Sequence, residues 1–350
     1  MQSRIDKLRD LLNDDEAVIV SGYPNIFYYS GFTSGDAYLI ISHDKQMLIT
    51  DSRYTIQAKE QAADFEIYDI KSGFENIFKK LSETRIGYEE DKMTVGEYKK
   101  IWRKLAPYQD YIRLQKTADT PRRIKDADEI KKIAEAEKIG DMAFEYILPR
   151  IKAGRTEREI ALELEFFMKK QGASALSFDT IAASGKRSAM PHGAASGKVL
   201  QKGDFLTLDF GCVFEGYCSD MTRTVVLGEP SEKQKEIYNI VLSAQKAAID
   251  AIVRGKRCDA VDAAARKIIT DAGYGENFGH GLGHSVGIEI HEMPSFSPNC
   301  HDVLEDGMVI TVEPGIYIED FGGVRIEDLI VVDGEKARNL TSSPKELIVL

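Results

Sequence analysis

Residues 203–211 read GDFLTLDFG and residues 307–315 read GMVITVEPG, two strand-like runs 104 positions apart that share one plan. Each opens on a glycine, places an acid six residues later and closes on another glycine two residues after that acid. Asp209 and Glu313 are the two acids. Upstream of each run lies a second echo. Gly154 to Gly172 encloses REIALELEFFMKK and Gly255 to Gly273 encloses DAVDAAARKIITD, with both endpoints shifted by 101. The apolar spacing within these segments is helical. Each copy therefore reads as two helices followed by an antiparallel hairpin. Two copies predict a duplicated α+β domain with a pseudo-twofold axis, and they are too few for a solenoid.

The rest of the chain frames this duplication. At 350 residues the length predicts two domains. The first third alternates short apolar runs (Ala17–Val20, Tyr38–Ile41, Met47–Ile49) with amphipathic stretches such as Tyr54–Ala62, the pattern of a smaller α/β domain. The polar, proline-containing stretch TADTPRRIK, Thr117 to Lys125, places the boundary near Thr120, giving domains 1–120 and 121–350. A net charge of −11 excludes a general nucleic-acid binder, which needs a basic footprint. The opening residues, Met1 to Ile19, are interrupted by charges every two or three positions, so no signal peptide is expected. No run approaches the ~20 apolar residues of a membrane span. A cytoplasmic protein without membrane or nucleic-acid partners is the expectation. The four cysteines (Cys212, Cys218, Cys258, Cys300) form no C-x-x-C pair, so small buried thiols are expected rather than a disulfide framework or a thiolate zinc site. The sole tryptophan, Trp102, sits in a lysine-rich amphipathic stretch and reads as core or interface.

The hairpins bring acids together. In an antiparallel ladder opposed residues have a constant index sum. A turn centred between Phe214 and Glu215 gives a sum of 429, which puts Asp209 opposite Asp220. A turn centred on Asp320 gives 640, which puts Glu313 opposite Glu327. Like charges opposed on a ladder repel, so two such pairs at matching repeat positions call for a cation between them. Three of the six histidines (His280, His284, His291) fall in FGHGLGHSVGIEIHE, Phe278 to Glu292. Imidazole added to carboxylates shifts preference from magnesium or calcium toward manganese, iron, cobalt or zinc. Four carboxylates are balanced by two divalent ions rather than one, which predicts a dinuclear centre with a bridging hydroxide.

The order Asp209, Asp220, His284 in HGLGH, Glu313 in TVEPGIY and Glu327 in GVRIED resembles the pita-bread metallopeptidases, the family of prolidase, aminopeptidase P and methionine aminopeptidase. Tyr217 and SDMTRT after the first acid are most similar to the Xaa-Pro branch. NIFYYSGFTSGDAYLI and LITDSRYTIQA (Asn25–Ile40, Leu48–Ala58) are similar to that branch's creatinase-type N-terminal domain. The resemblance implies a pita-bread fold from residue 121 onward and a metal-dependent exopeptidase that attacks Xaa-Pro peptides with a dimetal-bridging hydroxide. It implies Asp209 on one metal, Asp220 and Glu327 bridging, and His284 with Glu313 on the other, the metals being Mn, Co, Zn or Fe with Mn favoured. His284 is preferred to His280 as ligand because it stands seven residues before His291. Glu313 would handle the proton of the attacking water, and His291 and His192 would hydrogen-bond the developing oxyanion. His280 becomes a group behind the ligands or beside the substrate. Arg325, two residues before Glu327 and so on its face of the strand, would orient it. His43 and His301 match nothing and read as surface. The substrate's free amino terminus would meet the metals, and a homodimer is implied.

Within that branch the dipeptidases commonly carry an arginine just after the histidine-glutamate-x-proline stretch, where this chain has Ser295. That departure favours an Xaa-Pro aminopeptidase over a dipeptidase. Two rivals stand beside these readings. Gly283-His284-Ser285-Val286-Gly287 fits a G-x-S-x-G nucleophile elbow with Ser285 as nucleophile, although the text before it is polar and glycine-rich rather than a hydrophobic strand. The other is a non-catalytic peptide-binding module, disfavoured because all five ligand positions keep ligand chemistry.

Overall fold

The computed structural model describes residues 4–105, 110–113 and 117–350. Met1–Ser3, at the head of the charged opening stretch, and Lys116, at the head of the linker, lie outside the described residues. The chain forms two units, Met1–Arg122 and Arg123–Leu350.

In the first unit the strand EAVIV, Glu16–Val20, which carries the apolar run Ala17–Val20, is buried along its whole length. It is an inner strand of a six-stranded sheet, antiparallel to Ala37–Ile41 and parallel to Arg85–Tyr88. Burial on both faces accounts for its unbroken hydrophobicity. Trp102, on the helix Val95–Leu105, packs into this unit's core, its ring 5.1 Å from both Tyr88 and Tyr98. It is a core residue.

The second unit shows the duplication. Helices Ala127–Ile147 and Glu157–Lys170 precede the strands Phe205–Phe210 and Met221–Val226. Helices Glu232–Asp250 and Cys258–Asp271 precede Val309–Val312 and Asp328–Asp333. The echoed glycines earn their places through backbone conformation: Gly154, Gly172 and Gly203, and their counterparts Gly255, Gly273 and Gly307, all have φ between +83° and +108°. Only glycine enters that region without strain. Matching hydrogen bonds follow. Gly154 N–H donates to Leu200 O where Gly255 N–H donates to Leu304 O, and Gly203 N–H to Leu227 O where Gly307 N–H donates to Val332 O.

Each helix pair buries one stripe. Ile160, Ala161, Leu164 and Met168 of the first copy enter a core with Leu206, Leu208 and Phe210. Val261, Ala265 and Ile269 of the second enter a core with Ile310 and Val312. A fully buried large aliphatic side chain contributes about 1.5–3 kcal/mol, so these stripes fix both helix pairs on their strands. Three of the four helices are closed by capping boxes, Asp126/Glu129, Thr156/Glu159 and Ser231/Gln234.

The strand Phe205–Phe210 is buried on both faces, and the faces differ. Leu206, Leu208 and Phe210 point into the helix-covered core. Thr207 and Asp209 point the other way, across from Thr224 and Thr222. One strand thus gives its apolar alternate residues to folding and its polar ones to a buried site.

The first hairpin departs from the expected register. Asp209 pairs with Thr222, not Asp220, because the turn is the two-residue Glu215–Gly216 and the index sum is 431. Both turn residues are left-handed, φ 47° and 85°, the geometry of a tight type I′ turn. The second hairpin keeps the expected sum of 640, in Gly315↔Arg325 on one side and Val312↔Asp328 on the other. Glu313 and Glu327 stand between those pairs. Among the described residues no helix is long and apolar enough to cross a membrane.

Candidate active site

Asp209, Asp220, His284, Glu313 and Glu327 line one pocket of about 590 Å³, together with His192, His280, His291 and Arg325. Every residue assigned above to the metallopeptidase reading as catalytic, ligating or supporting therefore faces a single space within the second unit. His43 and His301 do not line it. His301 is exposed and bonded to Arg257 and Asp259.

Asp220, His284 and Glu327 each present a ligand atom, all within 4.8 Å of one another. His284 Nε2 is 3.5 Å from Asp220 Oδ2 and 3.6 Å from Glu313 Oε1. Burial, and then His291 beside it, lowers the His284 pKa to about 4, against the opposing pull of the Ser285 and Ile290 carbonyls. The ring is neutral at ordinary pH. Its Nδ1–H donates to Ser285 O at 3.2 Å, which leaves the Nε2 lone pair facing the carboxylates. The acids carry the opposite perturbation. Burial pushes Asp220 well above the usual carboxylate range, and Glu327, Asp209 and Glu313 push it further. Burial raises Glu327 and Glu313 as well, reinforced by neighbouring acids and opposed in both cases by Arg325.

Arg325 is the one lysine or arginine among the described residues of the pocket wall. Its partner differs from the expected one. The guanidinium donates to Asp209 Oδ2 at 2.5 Å, to Tyr317 Oη at 2.8 Å and to Thr222 Oγ1 at 3.1 Å. It reaches Glu327 only through Thr222, whose hydroxyl donates to Glu327 Oε2 at 2.7 Å. The same-face argument put Arg325 beside Glu327. The neighbouring hairpin comes close enough to supply a stronger partner. One arginine cannot balance four carboxylates. Asp209 Oδ1 is buried with no hydrogen-bond partner. An orphaned carboxylate oxygen, three acids with raised pKa and a neutral imidazole turned toward them fit divalent metal ions.

His280 is spent on the scaffold. Its Nδ1–H donates to Gly281 O at 2.7 Å and its Nε2 accepts from Tyr317 Oη at 2.9 Å. Burial holds its pKa near 4. With both nitrogens engaged it is part of the pocket wall rather than a ligand. His291 packs edge-on against His284, ring centroids 4.3 Å apart. Ser285, the rival nucleophile, is fully buried on the strand Gly283–Ser285 and donates to Pro294 O at 2.8 Å. It does not line the pocket, and the local chain is a paired strand rather than an elbow. The four cysteines are buried free thiols.

Several supporting residues escaped the sequence reading. Thr222, two after Asp220, and Thr311, two before Glu313, share their acids' strand faces, and a period-two search around each acid finds them. Thr311 Oγ1 accepts from His284 N–H at 3.1 Å. Tyr317 and Glu137 carry no such signal. Glu137 lies on a helix 83 residues before Asp220, whose N–H it accepts at 3.2 Å. It also accepts from Thr341 Oγ1 at 2.6 Å, and burial raises its pKa to about 8.

Comparison with known proteins adds a frame. A model of the Creatinase/Prolidase N-terminal domain matches residues 4–124, and a model of metallopeptidase family M24 matches residues 131–334. A solved Xaa-Pro dipeptidase from Bacillus anthracis is 45% identical, with 99% of each chain covered and a TM-score of 0.96. An X-Pro aminopeptidase from Thermotoga maritima is 39% identical, covering 99% of this chain and 100% of its own, with a TM-score of 0.92. An Xaa-Pro dipeptidase from Pyrococcus furiosus is 40% identical over 99% of this chain and 100% of its own length.

Proposed function

The chain belongs to metallopeptidase family M24, a pita-bread domain preceded by a creatinase-type domain, and on that premise we propose that it is an exopeptidase cleaving the bond between an N-terminal residue and proline. The observation that carries this reading is the convergence of Asp209, Asp220, Glu313, Glu327 and a neutral His284 on one pocket with a single arginine among them. These five side chains would hold two divalent ions. When bound, such ions supply an activated water near neutral pH and Lewis-acid polarisation of the scissile carbonyl.

The side chains do the rest. Glu313 is the candidate to take and return the water's proton at its carboxylate, because burial keeps its affinity for a proton high against the pull of Arg325. His291 and His192, on the pocket wall, are the candidates to donate to the oxygen that gains charge. Arg325 and Thr222 hold Asp209 and Glu327 in place. Phe178, Ile181, Ile290 and Phe296 give the pocket apolar walls that suit a proline ring and exclude water.

Two readings of substrate length have support. The relatives named as dipeptidases favour Xaa-Pro dipeptides. Ser295, at the position where the branch's dipeptidases commonly carry an arginine, favours longer peptides, since the one arginine of the wall is already bound to Asp209. Manganese, a cytoplasmic site of action and a homodimer complete the proposal. The deciding experiment strips the metal, restores ions singly and assays Xaa-Pro dipeptides beside Xaa-Pro tripeptides and Met-Ala peptides. Turnover of Xaa-Pro substrates alone supports the reading, and hydrolysis of Met-Ala peptides alone refutes it.

A further inference from the structure

The structure assigns Lys125 and Glu292 a positioning role: their buried ion pair sets the place of the His291 imidazole in the pocket. The inference rests on the peptidase reading above for the part His291 plays. Lys125 Nζ lies 3.1 Å from Glu292 Oε2, with the two side chains only 1% and 6% exposed. An ion pair so far from water is weak evidence of a stabilising role, since an apolar pair of similar volume is often as stable or more so. A geometric purpose is the alternative, and the other carboxylate oxygen shows it. Glu292 Oε1 accepts from the N–H of Ile288 at 3.0 Å and of Glu289 at 3.2 Å. Gly287 N–H closes the same small loop on Glu289 O at 3.1 Å. The carboxylate thus stitches the segment 287–291 from inside, and it fills the space so fully that a Cβ at Gly287 would come within 2.6 Å of both its oxygens.

The loop is moored at both sides. Val286 N–H donates to Val309 O at 3.0 Å, and Cys218 N–H donates to Gly287 O at 2.8 Å. Lys125 is itself pinned, its N–H donating to Gly307 O at 3.0 Å. His291 immediately precedes Glu292 in the chain. Among the described residues no hydrogen bond holds its ring, which only packs against His284. The imidazole is therefore aimed by its backbone, the backbone by Glu292, and the charge of Glu292 is tolerated in the interior because Lys125 compensates it. Neither residue lines the pocket, so both act through His291.

The test measures kcat and KM on an Xaa-Pro dipeptide for Lys125→Met and Glu292→Gln, each in the wild-type and the His291→Ala backgrounds of the metal-loaded full chain. Imidazole NMR of the metal-free protein is recorded alongside. Displacing a catalytic group by about 1 Å costs up to ~100-fold in rate. The expected result is a 10- to 100-fold lower kcat with KM changed less than about twofold, lost entirely in the His291→Ala background. Lys125→Arg, which keeps the charge, restores most of the rate. The His291 resonance moves in both variants while that of exposed His301 stays. Equal losses in both backgrounds, or an unmoved His291 resonance, overturn the assignment. Should Lys125→Met fail to fold, Glu292→Gln carries the same comparison. A wild-type protein inactive on Xaa-Pro peptides would refute the peptidase reading alone, because the NMR arm still decides where His291 is held.

Discussion

The two hairpins of the second unit are copies of one plan, yet they contribute to the site differently. The second, from Val309 to Asp333, keeps one register across its length, so Glu313 and Glu327 face each other through a break in the ladder. The first, from Phe205 to Val226, turns more tightly, and its second acid, Asp220, falls two residues short of the partner of Asp209. A slip of two is even, so Asp220 keeps the face on which Thr222 and Asp209 lie and still reaches the pocket. A slip of one would have sent it to the opposite face. The copies therefore tolerate a change of turn, provided it preserves parity. They also differ in support. Glu137, inside the helix of the first copy, holds the Asp220 backbone. The corresponding helix of the second copy, Glu232–Asp250, buries no carboxylate.

The sharpest way to break this comparison is to remove one acid from each copy. Asp220→Ala and Glu327→Ala should each lower kcat/KM by more than about a thousandfold, the several kcal/mol that metal-ion catalysis contributes, with loss of bound metal measured on the same samples. A large effect in only one copy would mean that the acids serve separate sites. Arg325→Met tests the link between copies, since Arg325 of the second holds Asp209 of the first. A 10- to 100-fold fall in metal affinity or activity is expected, read by metal titration and initial rates.

The paired glycines sharpen the contrast further. A Cβ on Gly211 would lie 2.0 Å from the Ser219 backbone oxygen, whereas one on Gly315 would meet the hydroxyl of Tyr317 at 2.5 Å. Backbone cannot yield as a side chain can. Gly211→Ala should be the more destabilising in thermal melts, by about 1–3 kcal/mol, with Gly315→Ala milder. The last expected effect, seen only as a dependence on pH, concerns Glu137. Its folded pKa of about 8 lies above the ordinary glutamate value of 4.5. The folded state holds this proton more tightly than the unfolded chain does, so its contribution to stability is complete below about pH 4.5 and is lost as pH rises through about 8. Without metal, Glu137→Gln should flatten the fall in Tm between those limits, read by thermal melts at either end of the range.

The duplication was legible because glycines with obligatory positive φ recur at fixed offsets, which leaves a mark in the letters themselves. Asp209 and Glu313 were legible for the same reason, each standing six residues after such a glycine. The register of the first hairpin was not. Glu215 adopts φ 47°, a conformation uncommon for a residue with a Cβ, and nothing in FEG announces it. The partner of Arg325 was hidden too, because a period-two argument sees one strand and the bond to Asp209 runs between hairpins. Tyr317, Glu137 and the Lys125–Glu292 pair are long-range contacts with no local pattern. Ser285 shows the converse: its motif matched, and burial on a paired strand removed it.

Anomalous diffraction from crystals of the manganese-loaded protein tests the central claim most directly. Two peaks among Asp209, Asp220, His284, Glu313 and Glu327 are predicted. A single peak there, or manganese bound only elsewhere on the chain, would contradict it.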